Sequence, residues 1–181
     1  MGVQVAALNI QSTHDDFLCI NNVYFLLNNS FGYILKPDFL LRGEVRDYSK
    51  PLLHISLKFI SGFMIYKLAE TMKEISIHCK VIGSYEDDTN NSVLKLESIV
   101  KNLINPVFDG EPTFEANIYE IDFAVIFIKI YSSSSCVGRC VIPIKFIREG
   151  IRTVPIYSNN GIEHNEALLL CSIKLTDNII L

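Results

Sequence analysis

Long apolar runs, an excess of basic charge and pairable cysteines are all missing from this 181-residue sequence. No window holds the roughly 18 consecutive apolar residues that a membrane-crossing helix needs. The N-terminus has no basic region followed by an apolar core and a small-residue cleavage site, so the sequence reads as soluble and unsecreted. Its 16 Lys and Arg against 20 Asp and Glu leave a formal charge of −4. That balance argues against a nucleic-acid partner, which would meet a concentrated basic face, and weakens generic attraction to anionic lipid. The five cysteines, Cys19, Cys79, Cys136, Cys140 and Cys171, are odd in number and scattered, which speaks against a disulfide framework and for a reducing compartment. Cys136 and Cys140 have the look of half a zinc site, yet no second Cys or His pair stands nearby at ligand spacing. All five are expected to be buried structural thiols. His14, His54, His78 and His164 are too far apart to suggest a metal or a nucleophile relay, and Glu86-Asp87-Asp88 with Thr89-Asn90-Asn91 reads as a solvated acidic loop.

What is present is an ordinary globular composition, 49% hydrophobic and 20% charged, enough for one filled domain and a modest second piece. From residue 52 onward the apolar pattern has a period of two. Leu53, Ile55, Leu57 and Phe59 alternate with His54, Ser56 and Lys58; Ile75, Ile77, Cys79 and Val81 alternate with Ser76, His78 and Lys80; Phe114, Ala116 and Ile118 alternate with Glu115 and Asn117. Residues 121–131 are apolar at nearly every position, as a central strand covered on both faces requires. With 93–100, 139–144, 153–157 and 167–175, the pattern gives eight strands separated by turn signals such as Gly83-Ser84, Asn105-Pro106 and Asn159-Asn160-Gly161. The prediction is a mainly β protein, an eight-stranded antiparallel β-sandwich over residues 52–177.

Residues 1–45 follow different rules. Residues 2–10 are continuously apolar, as suits a strand buried on both faces. Thr13 to Asp16 has the form of a capping box and leads into a helix with Phe17, Ile20, Tyr24 and Leu27 at helical spacing, followed by an extended tail. One strand, one helix and a tail cannot bury their own apolar faces, so this segment is expected to close something larger.

Specific motifs sharpen that expectation. Gly2, Gln4, Ala6, Ala7, Leu8, Asn9 and Gln11, then Gly32-Tyr33-Ile34-Leu35-Lys36-Pro37, resemble the end of the catalytic barrel in eukaryotic phosphoinositide-specific phospholipase C. The resemblance continues into the C2-type sandwich that follows the barrel in that family, through Phe59-Ile60-Ser61-Gly62, Asn105-Pro106-Val107-Phe108, Gly150 to Pro155, Gly161 and Ala167-Leu168-Leu169. It implies the last strand and helix of a TIM-type barrel over residues 1–45 and a C2-type domain over 52–177. The family hydrolyses phosphatidylinositol bisphosphate to diacylglycerol and inositol trisphosphate in signalling, with two histidines and a carboxylate-held calcium in the earlier half of the barrel. That half is not in this chain, which is therefore expected to be a catalytically inert portion of a longer enzyme that binds no cofactor itself. The implied partners are an inositol phospholipid membrane surface and the remainder of the catalytic barrel, with a cytoplasmic, peripheral location. The alternative is a stand-alone or pseudo-enzyme C2 module that binds lipid or protein without catalysis.

Calcium-binding members of the sandwich family use carboxylate-rich tips, since Ca²⁺ wants six to eight oxygens. Where those acids belong, this sequence has Lys129, Ile130 and Tyr131 followed by Ser132, Ser133, Ser134 and Ser135. The other tip offers Glu70 and Glu74 but no Asp, with Thr71 or Met72 in place of the first aspartate. The serines are expected to form a hairpin tip emptied of calcium chemistry. Phe63, Met64, Ile65 and Tyr66 form an apolar group on the loop that faces the membrane in the family, and are candidates for membrane contact.

Overall fold

The structure, a computed structural model, describes residues 11, 16–29, 33, 35–45, 47–68, 75–84, 94–98, 104–108, 110, 112–158 and 162–177. The apolar run 2–10, Thr13 to Asp15, Glu70 to Glu74, the acidic loop at 86–91 and the turn at 159–161 lie outside them.

The period-two segments form eight antiparallel strands: β1 (Leu53–Phe63), β2 (Ile75–Ile82), β3 (Leu94–Ser98), β4 (Thr113–Ile118), β5 (Val125–Ser132), β6 (Ser135–Pro143), β7 (Gly150–Tyr157) and β8 (Glu163–Asp177). Their order is β3-β2-β5-β6-β7-β8-β1-β4. β6 and β7 are joined through a single paired position, Arg139 with Tyr157, whereas neighbours on either side run in long registers. The sheet thus folds at that joint into two four-stranded layers. Inward residues of both layers share one core: Ile55, Leu57 and Phe59 of β1, with Leu169 and Cys171 of the adjacent β8, belong to one layer, and Ile77, Cys79, Ile126 and Ile128 to the other. Side chains of this size contribute about 1.5–3 kcal/mol each when fully buried.

Several strand limits differ from the pattern. β5 starts at Val125, four residues later than its apolar run, because the Glu120 carboxylate accepts a hydrogen bond from the Asp122 backbone N–H (2.8 Å) and holds a turn over 121–123. β7 and β8 begin earlier, at Gly150 and Glu163, since ladder pairing between them extends from Gly150 opposite Ile173 to Tyr157 opposite Glu163. β8 also runs to Asp177, opposite Leu53 of β1.

Ahead of the sandwich, α1 (Asp16–Leu27) ends where Asn29 turns left-handed (φ 58°), a conformation Asn tolerates well. Phe17, Ile20, Tyr24 and Leu27 fall at helical spacing along it. Leu18, Cys19 and Val23 are the buried residues, flanked by half-buried Ile20 and Tyr24, while Phe17 is 64% and Leu27 44% exposed. The cause is what the helix lies on: Cys19 and Val23 pack onto the outer face of the sandwich, against Val125 and Phe127 of β5, Val141 of β6 and Tyr157 of β7. This explains why β5 is apolar on both phases. The extended tail also contains a short helix, α2 (Asp38–Arg42), entered from Pro37 and closed by Gly43 in the left-handed region (φ 66°).

Candidate functional site

Two features decide what the molecule can do: the end of the sandwich that carries both tips, and the place where α1 meets β5 and β6.

The serine run lies half in strands and half in a turn. Ser132 pairs with Ser135 across a two-residue hairpin, Ser133 and Ser134, with Ser133 in the left-handed region (φ 54°). Ser133 to Ser135 are exposed and Ser132 is buried. Ile130 sits wholly in the core, and Lys129 points to the opposite face, toward α1.

On the neighbouring tip, β1 ends at Phe63, the chain turns left-handed at Met64 (φ 52°), and a 3-10 turn covers Ile65–Leu68. A Cβ on Gly62 would lie 2.5 Å from Cγ1 of Ile65 and 3.0 Å from Pro106, so only glycine lets these segments approach. The Gly62 N–H donates to the Pro106 carbonyl (2.8 Å), and the Phe59 and Phe108 rings meet edge to face at 6.4 Å. The two short motifs read from sequence are therefore one joint. Of the four membrane-contact candidates, Phe63 is 48% and Tyr66 37% exposed and Met64 is half-buried. Ile65 is a correction, at 1% exposure, because the 3-10 turn swings it inward beneath Gly62. Ile104 (52%) and Val107 (65%), beside the end of β1, are also exposed at this end, a feature the sequence reading missed. The tips lie together: Leu68 comes 3.3 Å from where a Gly138 Cβ would stand, just beyond the serine hairpin. Lys67 pairs with Glu166 of β8 at 3.0 Å. Among the described residues, no three His, Cys, Asp or Glu converge in a way that could hold a metal ion.

The second feature is ionic. Lys129 and Arg139 are directly paired across β5 and β6, and both reach Asp16, the first residue of α1. The Arg139 Nε–H donates to Asp16 Oδ1 at 3.2 Å, and the Lys129 ammonium donates to Oδ2. The Arg139 side chain is 3% exposed and that of Asp16 21%. A carboxylate in the first turn of a helix is favoured by the helix dipole as well as by the two cations. Beside this cluster, burial pushes the Cys19 thiol up to about 11, with Arg139 pulling the other way; burial also raises Cys136, whose S–H donates to the Gly138 carbonyl at 3.5 Å. Cys171 is raised to about 12, and Cys79 and Cys140 are pushed up well beyond the ordinary thiol range, all by burial. None is poised as a nucleophile. His54 Nδ1 lies 3.0 Å from Asn117 Oδ1, His78 rests against Tyr131 with ring centroids 4.6 Å apart, and burial lowers the pKa of His164. These histidines sit on different strands and form no common site. The Asp16 cluster escaped the sequence reading, although one signal was there: Lys129 and Arg139 are the charges inside the otherwise apolar stretches of β5 and β6.

No protein-family model matches the chain. Over 97% of its length it is 26% identical to 1-phosphatidylinositol 4,5-bisphosphate phosphodiesterase delta-1 of Rattus norvegicus, and over 96% it is 27% identical to the gamma-2 enzyme of Homo sapiens. It spans 25% and 14% of those two proteins, so the chain covers a quarter or less of the curated relatives it matches. Among solved structures, PLC21 of S. officinalis superposes with a TM-score of 0.78 at 24% identity, over 99% of this chain and 24% of that one. A C2 domain of a plant extended synaptotagmin 1 superposes at 0.50 and 12% identity, over 71% of this chain and 97% of its own. These structural likenesses establish a C2-type sandwich.

Proposed function

We propose that this chain, a homologue of the phosphoinositide-specific phospholipases C, is the C-terminal portion of such an enzyme: residues 1–45 end the catalytic barrel, and the sandwich of 52–177 is its calcium-independent scaffold at the membrane. In this reading the whole enzyme hydrolyses phosphatidylinositol bisphosphate to diacylglycerol and inositol trisphosphate, and this portion contributes no catalytic group and no calcium ligand. Its partners are the remainder of the barrel and an inositol phospholipid surface, which it meets peripherally from the cytoplasm. No described helix is long and apolar enough to cross a membrane.

The observation that carries the reading is the seating of Asp16 on Lys129 and Arg139. Lys129 belongs to the stretch where calcium-binding sandwiches keep carboxylates, and here its ammonium fastens the barrel-type helix to the sandwich. A buried ion pair needs tight geometry to offset desolvation, which suits a fixed joint better than a mobile linker. The outer apolar surface of the N-terminal segment, including Phe17, Tyr33, Leu35 and Leu41, supports a covering partner there. Phe63 and Tyr66 support contact with the acyl boundary at the tip end.

The test is flotation of the protein with phosphatidylcholine vesicles containing phosphatidylinositol 4,5-bisphosphate, in chelator and in calcium. Equal flotation in both, reduced by Phe63→Asp with Tyr66→Asp, is the expected result. Binding that appears only with calcium would reject the scaffold reading.

A further inference from the structure

Outside the tips and the α1 joint, one cavity combines an apolar lining with cationic groups that no described acid pairs with. A volume of about 220 Å³ opens between the C-terminal end of α1, the β6 to β7 connection and β7. Leu27, Pro143, Phe146 and Pro155 supply apolar wall, and Arg148 and Arg152 stand among the lining residues. Leu27 and Phe146 are 44% and 45% exposed, an odd arrangement for two large apolar side chains meeting at one hollow. Arg152 donates from Nη1 only to the carbonyl of its neighbour Ile151 (3.0 Å), and among the described residues no acid pairs with either guanidinium. The adjacent acid, Glu149, is engaged elsewhere, accepting from the Leu175 N–H at 2.8 Å.

We propose that this cavity binds a single-chain anionic amphiphile, its apolar chain between Leu27, Phe146 and Pro155 and its carboxylate or phosphate on Arg148 and Arg152. Guanidinium groups match such oxyanions in a bidentate fork, and no acid among the described residues competes for these two. The volume lies below the ~300–1,000 Å³ usual for drug-sized ligands, which selects a slender chain over a fused ring system or a two-chain lipid. The site is separate from the tip end, so it does not depend on how the sandwich meets a membrane.

The experiment is calorimetric titration of the full chain with decanoate, with decanol as the uncharged analogue and with a short peptide ending in leucine carboxylate. Saturable one-to-one binding of decanoate is expected, with decanol at least about tenfold weaker, the scale of a charge-assisted hydrogen bond. Arg148→Glu with Arg152→Glu, both at exposed positions, should abolish it while leaving the circular dichroism spectrum unchanged. Leu27→Trp should fill the cavity and weaken binding with both arginines intact. Equal binding of decanol, retention by the double variant, absence of saturable heat, or tighter binding of the peptide would each overturn the proposal.

Discussion

Residues 16–45 and the sandwich treat apolar surface in opposite ways. In the sandwich, Ile55, Leu57, Phe59, Ile126 and Ile128 are wholly hidden, because two layers of alternating strands each supply the other's cover. In the N-terminal segment Tyr33, Leu35 and Val45 are 87–97% exposed, and α1 buries only the side that rests on β5 to β7. The sandwich carries its own core and the N-terminal segment borrows one. What fastens them is a small greasy contact around Cys19 and Val23 plus an ionic cluster with a nearly inaccessible arginine.

The difference can be probed by substitutions of decreasing effect. Phe59→Ala opens a cavity where both layers meet and should cost about 3–5 kcal/mol in urea unfolding, enough to threaten folding altogether. Asp16→Ala removes the carboxylate facing Lys129 and Arg139. Breaking a fully enclosed pair costs ~3–5 kcal/mol; because Asp16 is partly exposed, a loss of about 2–3 kcal/mol is expected by the same measurement. Asp16→Leu combined with Lys129→Met and Arg139→Met should recover most of it, since an apolar cluster of similar volume needs no desolvation and leaves no charge without its partner.

A milder test uses pH. Folding raises the Cys19 thiol from 9.0 to about 11 and that of Cys171 from 9.0 to about 12. The native state therefore keeps protons that the unfolded chain has released above pH 9. The contribution is complete below pH 9 and falls as pH rises through 11. Stability measured by urea at pH 8, 9, 10 and 11 should decline across the last two steps. Cys171→Ser should flatten the decline between 9 and 11 somewhat more than Cys19→Ser does, because the native Cys19 thiol itself begins to ionise near pH 11 whereas that of Cys171 stays protonated. The smallest effect is expected at the surface: Lys67→Ala breaks the exposed pair with Glu166 and should leave the melting temperature unchanged within error.

Strand content was legible because a half-buried strand must alternate, and all eight strands lie where alternation or a continuous apolar run placed them. Limits were less legible. The start of β5 depends on a Glu120 side chain folding back on the backbone of Asp122, and nothing in the apolar pattern of 121–131 encodes that. The side of α1 that rests on the sandwich is not legible in the sequence for a related reason. Helical spacing identifies a stripe, but Phe17 and Leu27 fall outside the contact because its direction is set by the outer faces of β5, β6 and β7, far away in sequence. Ile65 looked like its neighbours Phe63 and Tyr66 until the 3-10 turn separated them. The joint of Asp16 with Lys129 and Arg139 spans more than a hundred residues, and only the placement of charges within apolar strands hinted at it.

Hydrogen–deuterium exchange across α1 and β5–β6, recorded with and without calcium, tests the account most directly. If the helix is locked to a sandwich that needs no metal, amides from Leu18 to Leu27 open together with those of Ile126 to Ile130, and calcium changes neither set. Independent, rapid exchange of α1 while β5 stays protected, or new calcium-dependent protection at Ser133 and Ser134, would contradict it.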